Sequence, residues 1–142
     1  MLTRKGNAVW QGDLMAGKGT VQVGAGRIEL PYSFSSRFES GVGSNPEELI
    51  AAAHAGCFSM ALAGALAKSG HKPEEIRTTA KVRLEKAEQG FRITLIELET
   101  VGRVPGISAA VFQEHAEGAK KGCPVSQALA AVKIELKASL AK

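Results

Sequence analysis

Between Leu49 and Ala67 the chain runs through nineteen residues of which only His54 and Ser59 are clearly polar. No other stretch limits the possible folds as strongly. Just upstream, Asn45-Pro46-Glu47-Glu48 is a helix-start signature, with Asn45 as cap, Pro46 at the first helical position and two carboxylates facing the positive end of the helix dipole. Lys68-Ser69-Gly70 supplies the stop. The sequence therefore predicts one long helix that is apolar on nearly every face. Its length would suffice to cross a membrane. Much of the run is alanine and glycine, however, which drive insertion weakly, and the chain around it is patterned for water, so no membrane span is expected. Such a helix must be surrounded by protein, and one small sheet covers only one side of it. A second subunit is the expected cover.

The flanking segments predict an α+β arrangement. Asn7–Trp10, Gly19–Val23 and Arg27–Leu30 read as three short antiparallel strands separated by glycine-bearing turns. Pro31–Ser44, rich in serine and glycine and carrying Arg37 and Glu39, has too little periodicity for a regular element and is expected to be a long loop. Arg77–Lys86 and Phe91–Val101 alternate in polarity around Glu88-Gln89-Gly90, the pattern of a long hairpin. Ser108 caps a second helix that runs through Val111, Phe112, His115 and Ala119 and stops at Lys120-Lys121-Gly122. Ser126–Ala130 forms a helical turn and Ala131–Leu140 a last strand. The order βββ–α–ββ–α–β, without internal repeats, predicts a single domain over residues 1–142.

Charge and cysteine usage narrow the function classes. Eighteen basic and 14 acidic side chains give a net charge of +4, dispersed without the like-charge runs of a nucleic-acid surface. Met1–Asp13 holds no apolar stretch resembling a secretory signal, so a reducing, cytoplasmic setting is expected. In that setting two cysteines are a packing element, a ligand set or a redox pair. Cys57 lies mid-helix in His54-Ala55-Gly56-Cys57-Phe58-Ser59, as either a packed thiol or one polarised by His54 three positions earlier. Cys123 follows the expected end of the second helix, where the dipole opposes thiolate formation, so it suits a resolving role better than an attacking one. In isolation Arg37 reads as a solvated charge and Glu47 as a dipole partner. Glu47 precedes Cys57 by ten positions, about 15 Å of helical rise. Only a kink, a bridging arginine or a second chain would bring their chemistry together.

The wording of two segments is more specific than their periods. Asn45 to Leu62 (NPEELIAAAHAGCFSMAL), together with Gly122-Cys123-Pro124-Val125-Ser126, closely resembles the OsmC family, named for osmotically inducible protein C. The likeness extends through Trp10-Gln11-Gly12, Gly17-Lys18-Gly19-Thr20, Ser36-Arg37-Phe38-Glu39 and Val104-Pro105-Gly106-Ile107. The sister branch, the organic hydroperoxide resistance proteins, shares the cysteines, whereas the His54 helix and Ser36-Arg37-Phe38 look more like OsmC itself. The resemblance implies antiparallel-rich sheets wrapped around two central helices in an intertwined homodimer, with a thiol peroxidase site at the subunit interface. It further implies Cys57 as peroxidatic thiol, Cys123 as resolving thiol, and Arg37 and Glu47 as the polar part of the site. On that reading an organic hydroperoxide oxidises Cys57 to a sulfenic acid, Cys123 condenses with it to a disulfide, and an external dithiol restores both thiols. No cofactor or metal is required, and no nucleic-acid or membrane partner is implied. His54, Phe58, Met60 and Phe38 are the substrate-pocket candidates, the apolar ones favouring hydroperoxides with a carbon tail.

Three rival readings use the same residues. In a Cys-His hydrolase or acyltransferase, Cys57 attacks and His54 is the base, but an acidic orienter and a role for Cys123 are missing. A metal or ligand binder would use His54, Cys57, Cys123 and His115, at a spacing that matches no compact zinc pattern. A stress-related binding dimer would use both cysteines for packing alone.

Overall fold

In the computed structural model, which describes all of Met1–Lys142, the chain packs as two units, Met1–Leu49 and Ile50–Lys142. The first unit opens on three strands, β1 (Asn7–Gln11), β2 (Lys18–Val23) and β3 (Ile28–Tyr32), paired antiparallel in the order β1-β2-β3. Gly19 makes this sheet possible in its present form. A Cβ at that position would collide with the Val9 carbonyl oxygen and stand within 2.8 Å of the Trp10 and Tyr32 rings. Those rings pack at 5.1 Å between centroids, and only glycine leaves them room.

The stretch expected to be a loop contains a helix, α1 (Phe34–Phe38). Ser33 and Ser36 close a capping box: the Ser36 N–H donates to Ser33 Oγ at 3.1 Å and the Ser33 N–H to Ser36 Oγ at 2.9 Å. The Asn45 side-chain amide donates to the Ser36 carbonyl at 3.1 Å, tying the turn to the start of the next helix. Five residues are too few for an apolar period to register, so the serines that looked like loop composition are the caps of a short helix.

The apolar run is a helix, as its caps predict: α2 spans Pro46–Lys68 and the Glu48 N–H donates to Asn45 Oδ1 at 2.8 Å. His54, Phe58, Leu62 and Leu66 are fully buried at four-residue intervals. Another face, through Ala53, Gly56, Met60, Gly64 and Ala67, is exposed. Only 22% of the helix's most apolar 18-residue window is buried, at a mean hydropathy of 1.7, and by length and composition alone the helix could cross a membrane.

The second unit is built on a mixed sheet. β4 (Glu75–Ala87) and β5 (Gly90–Arg103) form the expected hairpin, with a register shift at Arg83/Leu84, and β6 (Lys133–Leu140) pairs parallel to β5. Two helices lie between β5 and β6: α3 (Ala109–Gly122), capped by Ser108, and α4 (Pro124–Ala128). Phe58, Leu62 and Leu66 of α2 pack with Ile96 and Leu98 of β5 and with Phe112, Ala116 and Ala119 of α3, closing one core that also holds Cys123. Phe112 reaches this core because β5 carries Gly102, where a Cβ would stand 2.5 Å from the Phe112 ring. The expected α+β class is observed, as two three-stranded sheets and four helices.

Candidate active site

Within the first unit the structure brings Arg37 onto Glu47. From the end of α1, Arg37 donates through Nη2 to Glu47 Oε1 at 2.8 Å and through Nε to Oε2 at 3.2 Å. This is the two-pronged geometry that suits a guanidinium to a carboxylate. Glu47 is nearly buried, with 10% of its side chain exposed, while Arg37 keeps 34%. The pair thus has a fixed acidic end and an open cationic end. Arg37 also lies over the Phe38 ring, 5.1 Å from its centroid. A cavity of about 230 Å³ adjoins them, lined by Trp10, Tyr32, Phe34, Arg37 and Phe38. It is a mainly aromatic hollow, also bordered by Leu14 and Ser33, in which Arg37 is the one charged residue.

Within the second unit the structure brings Cys57 to Cys123. Both are free thiols, Cys57 half-buried and Cys123 fully buried. Burial pushes the Cys57 thiol above its ordinary range; the Val125 backbone N–H, donating to it, acts the other way, and the hydrogen-bonded thiol of Cys123 raises it further. Cys57 by itself is therefore a poorly ionised thiol, dependent on donors and nearby cations to become a nucleophile.

Cys123 stands differently from the expected helix end. It ends α3, its N–H donating to the Ala119 carbonyl, and at the same residue it caps α4, its Sγ accepting the Ser126 N–H at 3.3 Å. Pro124 fills the first helical position of α4. The dipole argument from the preceding helix is thereby offset, because the sulfur itself receives a backbone N–H from the following one.

His54 lies apart from the other candidate residues. It does not polarise Cys57 and lines no open pocket: its ring is fully buried and Nε2 lies 2.7 Å from Ser126 Oγ. Although residues three apart share a helix face, the imidazole is taken up by the Ser126 hydroxyl of α4 rather than by the thiol of its own helix. Desolvation lowers the His54 pKa below the ordinary imidazole value, and Nδ1 is buried without a partner. The Cys-His hydrolase loses its base by this geometry. The metal-binding alternative finds no cluster of three His, Cys, Asp or Glu side chains with ligand geometry.

The expected apolar wall is distributed. Phe38 lines the cavity beside Arg37, Phe58 is in the core against which Cys57 packs, and Met60, 78% exposed, stands on the open face of α2. Ser126 and the Val125 N–H went unremarked as site groups at the level of sequence. Their signal was Cys123-Pro124-Val125-Ser126 itself, a cap residue followed by proline at the first helical position.

The OsmC-like protein family model matches residues 39–137. The chain is 52% identical over 129 residues to Peroxiredoxin OsmC of Escherichia coli strain K12, with 90% of each chain covered. It is also similar to an organic hydroperoxide resistance protein of Xanthomonas axonopodis pv. citri, 36% identical over 62% of this chain and 61% of that one. Among solved structures, an OsmC-like protein of unknown function from Vibrio cholerae superposes with a TM-score of 0.77 at 16% identity, covering 97% of this chain and 99% of that one. An organic hydroperoxide resistance protein from Elizabethkingia anophelis gives 0.72 at 28% identity, covering 99% of this chain and 98% of that one.

Proposed function

Because the chain belongs to the OsmC family, we propose that it is a cysteine-based peroxidase that reduces organic hydroperoxides to alcohols in stress defence. The observation that carries this reading is the half-buried Cys57 thiol, hydrogen-bonded to a second free thiol and to the Val125 N–H. The names of the Escherichia coli and Xanthomonas relatives support the same activity and substrate class.

In this reading Cys57 is the attacking thiol and Cys123 the resolving one. The Cys57 thiolate attacks one peroxide oxygen, the O–O bond breaks, and the alkoxide takes a proton to leave as alcohol. Cys57 is then a sulfenic acid. The Cys123 sulfur attacks the Cys57 sulfur, the S–O bond breaks, and hydroxide leaves as water. A dithiol outside the chain returns two electrons and two protons to reopen the disulfide. Arg37, held by Glu47, is the guanidinium we assign to the thiolate and the peroxide, since burial of Cys57 leaves its charge in need of a cation. Phe38 and Met60 are the apolar groups we assign to the carbon tail, while Phe58, fully buried, backs Cys57 from the core. His54 belongs behind the thiols rather than in the pocket.

The whole chain acts as one OsmC-like domain, and its partner is a second copy of itself. Support comes from the open face of α2, where Ala53, Gly56 and Gly64 would let another backbone approach and Met60 would be buried. A reducing setting such as the cytoplasm suits an enzyme whose resting thiols must be restored in every cycle.

Intact-mass spectrometry after one equivalent of cumene hydroperoxide tests the assignment. The reduced protein is expected to lose two hydrogens, Cys123→Ser to gain an oxygen, and Cys57→Ser to remain unchanged. Three unchanged masses would return both thiols to the role of core packing.

A further inference from the structure

His54 is a fully buried titratable side chain that no step above uses. A packing role alone would be served by leucine or phenylalanine, which would not leave Nδ1 buried and unpartnered. What the imidazole does have is a continuous polar path to the resolving thiol. The Cys123 S–H donates to Ser126 Oγ at 3.1 Å, and Ser126 Oγ lies 2.7 Å from His54 Nε2. All three residues are at least 96% buried, with relative exposures of 0%, 4% and 0%. The Ser126 N–H, donating to Cys123 Sγ at 3.3 Å, fixes the sulfur at one end of the path.

We propose that His54 is a positioning residue for the resolving half of the reaction, acting on Cys123 through the Ser126 hydroxyl. With the Ser126 O–H donating to Nε2, the Cys123 S–H proton passes to Ser126 Oγ as the Ser126 proton passes to His54. The Cys123 sulfur, relieved of its proton, forms the S–S bond to Cys57 while the S–O bond of the sulfenic acid breaks. Hydroxide leaves, and the proton returned by His54 along the same path completes the water. One proton leaves Cys123 and one reaches hydroxide, so His54 ends as it began. Burial keeps the imidazole neutral at neutral pH, which leaves Nε2 free to accept. This path gives the buried Cys123 thiol a base within reach of its proton, the charge on the imidazole lasting only until that proton is returned to the leaving hydroxide.

Other titratable groups near the path are few. Cys57 approaches from α2. From the end of α3, Lys120 and Lys121 line an open cavity of about 350 Å³ that Ser126 also borders, Lys120 being paired with Glu117 at 3.4 Å. Gln127 and Val132 on the same cavity carry no charge.

The inference rests on the peroxidase reading, and rapid-quench mass spectrometry separates the two. After one equivalent of cumene hydroperoxide, oxygen addition is followed in a Cys123→Ser background, and disulfide formation in proteins that retain Cys123. Ser126→Ala, which preserves the backbone N–H to Cys123, is expected to slow disulfide formation by about tenfold or more relative to oxygen addition. His54→Gln should do the same, and the double variant should be no slower than either alone. In the unsubstituted protein disulfide formation should change little between pH 7 and 8.5, whereas in Ser126→Ala it should climb with pH as thiol ionisation becomes limiting. If His54→Gln fails to fold, Ser126→Ala decides alone. Unchanged resolution with an unchanged pH profile in Ser126→Ala would overturn the path while leaving the peroxidase intact. Absence of any oxygen on Cys57 would overturn both.

Discussion

In Met1–Leu49 the buried residues are Ser36, Ser44, Asn45 and Glu47, all of them polar. In Ile50–Lys142 they are mainly Phe58, Leu62, Leu66, Ile96, Leu98 and Phe112, with Cys123 among them. The first unit holds Arg37 by caps and an ion pair around a short helix, and leaves its guanidinium half open. The second holds its thiols against a hydrophobic core, where burial makes Cys57 harder to ionise. These are complementary ways of fixing a reactive group. Hydrogen bonds fix direction at little depth, whereas core packing fixes position and strips water. A thiol peroxidase needs both kinds, a cation that stays charged and a sulfur protected from adventitious oxidants. Substitutions should accordingly separate activity from stability along the same division.

The largest effects should come from the second unit. Cys57→Ser is expected to lower hydroperoxide turnover with dithiothreitol by about a thousandfold or more, because the nucleophile itself is removed. Its melting temperature should shift little, since the change is nearly isosteric and Cys57 is only half-buried. Phe112→Ala, at 1% exposure in the core, should cost about 3–5 kcal/mol in urea unfolding. Trp10→Ala, on the sheet of the first unit, should cost clearly less. Equal losses at the two positions would break the contrast.

Arg37 sharpens it from the other side. Arg37→Ala should lower kcat/KM for cumene hydroperoxide by about a hundredfold, and Arg37→Lys should recover only a part, because an ammonium cannot reproduce the two-pronged contact with Glu47. Glu47→Ala added to Arg37→Ala should cost little more, as the two act as one group. Both variants should unfold near the parent midpoint. A loss of stability as large as that of Phe112→Ala would mean that the pair holds the fold rather than the substrate.

The same division decided what the sequence disclosed. Segments whose order comes from apolar burial announced themselves: the α2 run, the β4–β5 hairpin and the Ser108-capped α3 all carry a period that a core imposes. Segments whose order comes from side-chain caps did not. α1 was hidden in Ser33-Phe34-Ser35-Ser36 because serine is as common in loops as at helix starts, and the cap became visible only once both hydrogen bonds could be traced. The site divided likewise. The wording of the Cys57 and Cys123 segments marked the thiols, and Arg37 and Glu47 came with them. The partner of His54 depended on which way an imidazole leans and on a serine 72 positions away, which no local pattern encodes.

Two glycines give a more modest test. Gly19→Ala would drive a methyl into the Val9 carbonyl and the Trp10 ring, and Gly102→Ala would drive one into Phe112. Each is expected to cost about 1–3 kcal/mol, read as a lower urea midpoint. In Gly102→Ala the clash falls on a side chain in the core. In Gly19→Ala it includes backbone, which yields less readily, and adding Phe112→Leu should therefore relieve Gly102→Ala and leave Gly19→Ala as it is.

The smallest expected effect is one of pH. Burial holds the His54 imidazole below its ordinary value, near 6.5 in an unfolded chain (~6.5 for a model peptide). As pH falls through that value the unfolded chain takes up a proton that the folded chain does not, so stability present above it is lost on the acid side. The urea midpoint should therefore decline from pH 7.5 to 5.5, and His54→Gln should flatten that decline even if it lowers the midpoint throughout. Trp10 is the sole tryptophan and belongs to the first unit, whereas His54 belongs to the second. Hydrogen exchange on α3 amides should therefore respond to acid and to the His54 substitution at least as strongly as Trp10 fluorescence does. A Trp10 signal that moves with pH while α3 exchange stays constant would place the acid-sensitive group in the polar unit, and the buried imidazole would then not be the group that senses it.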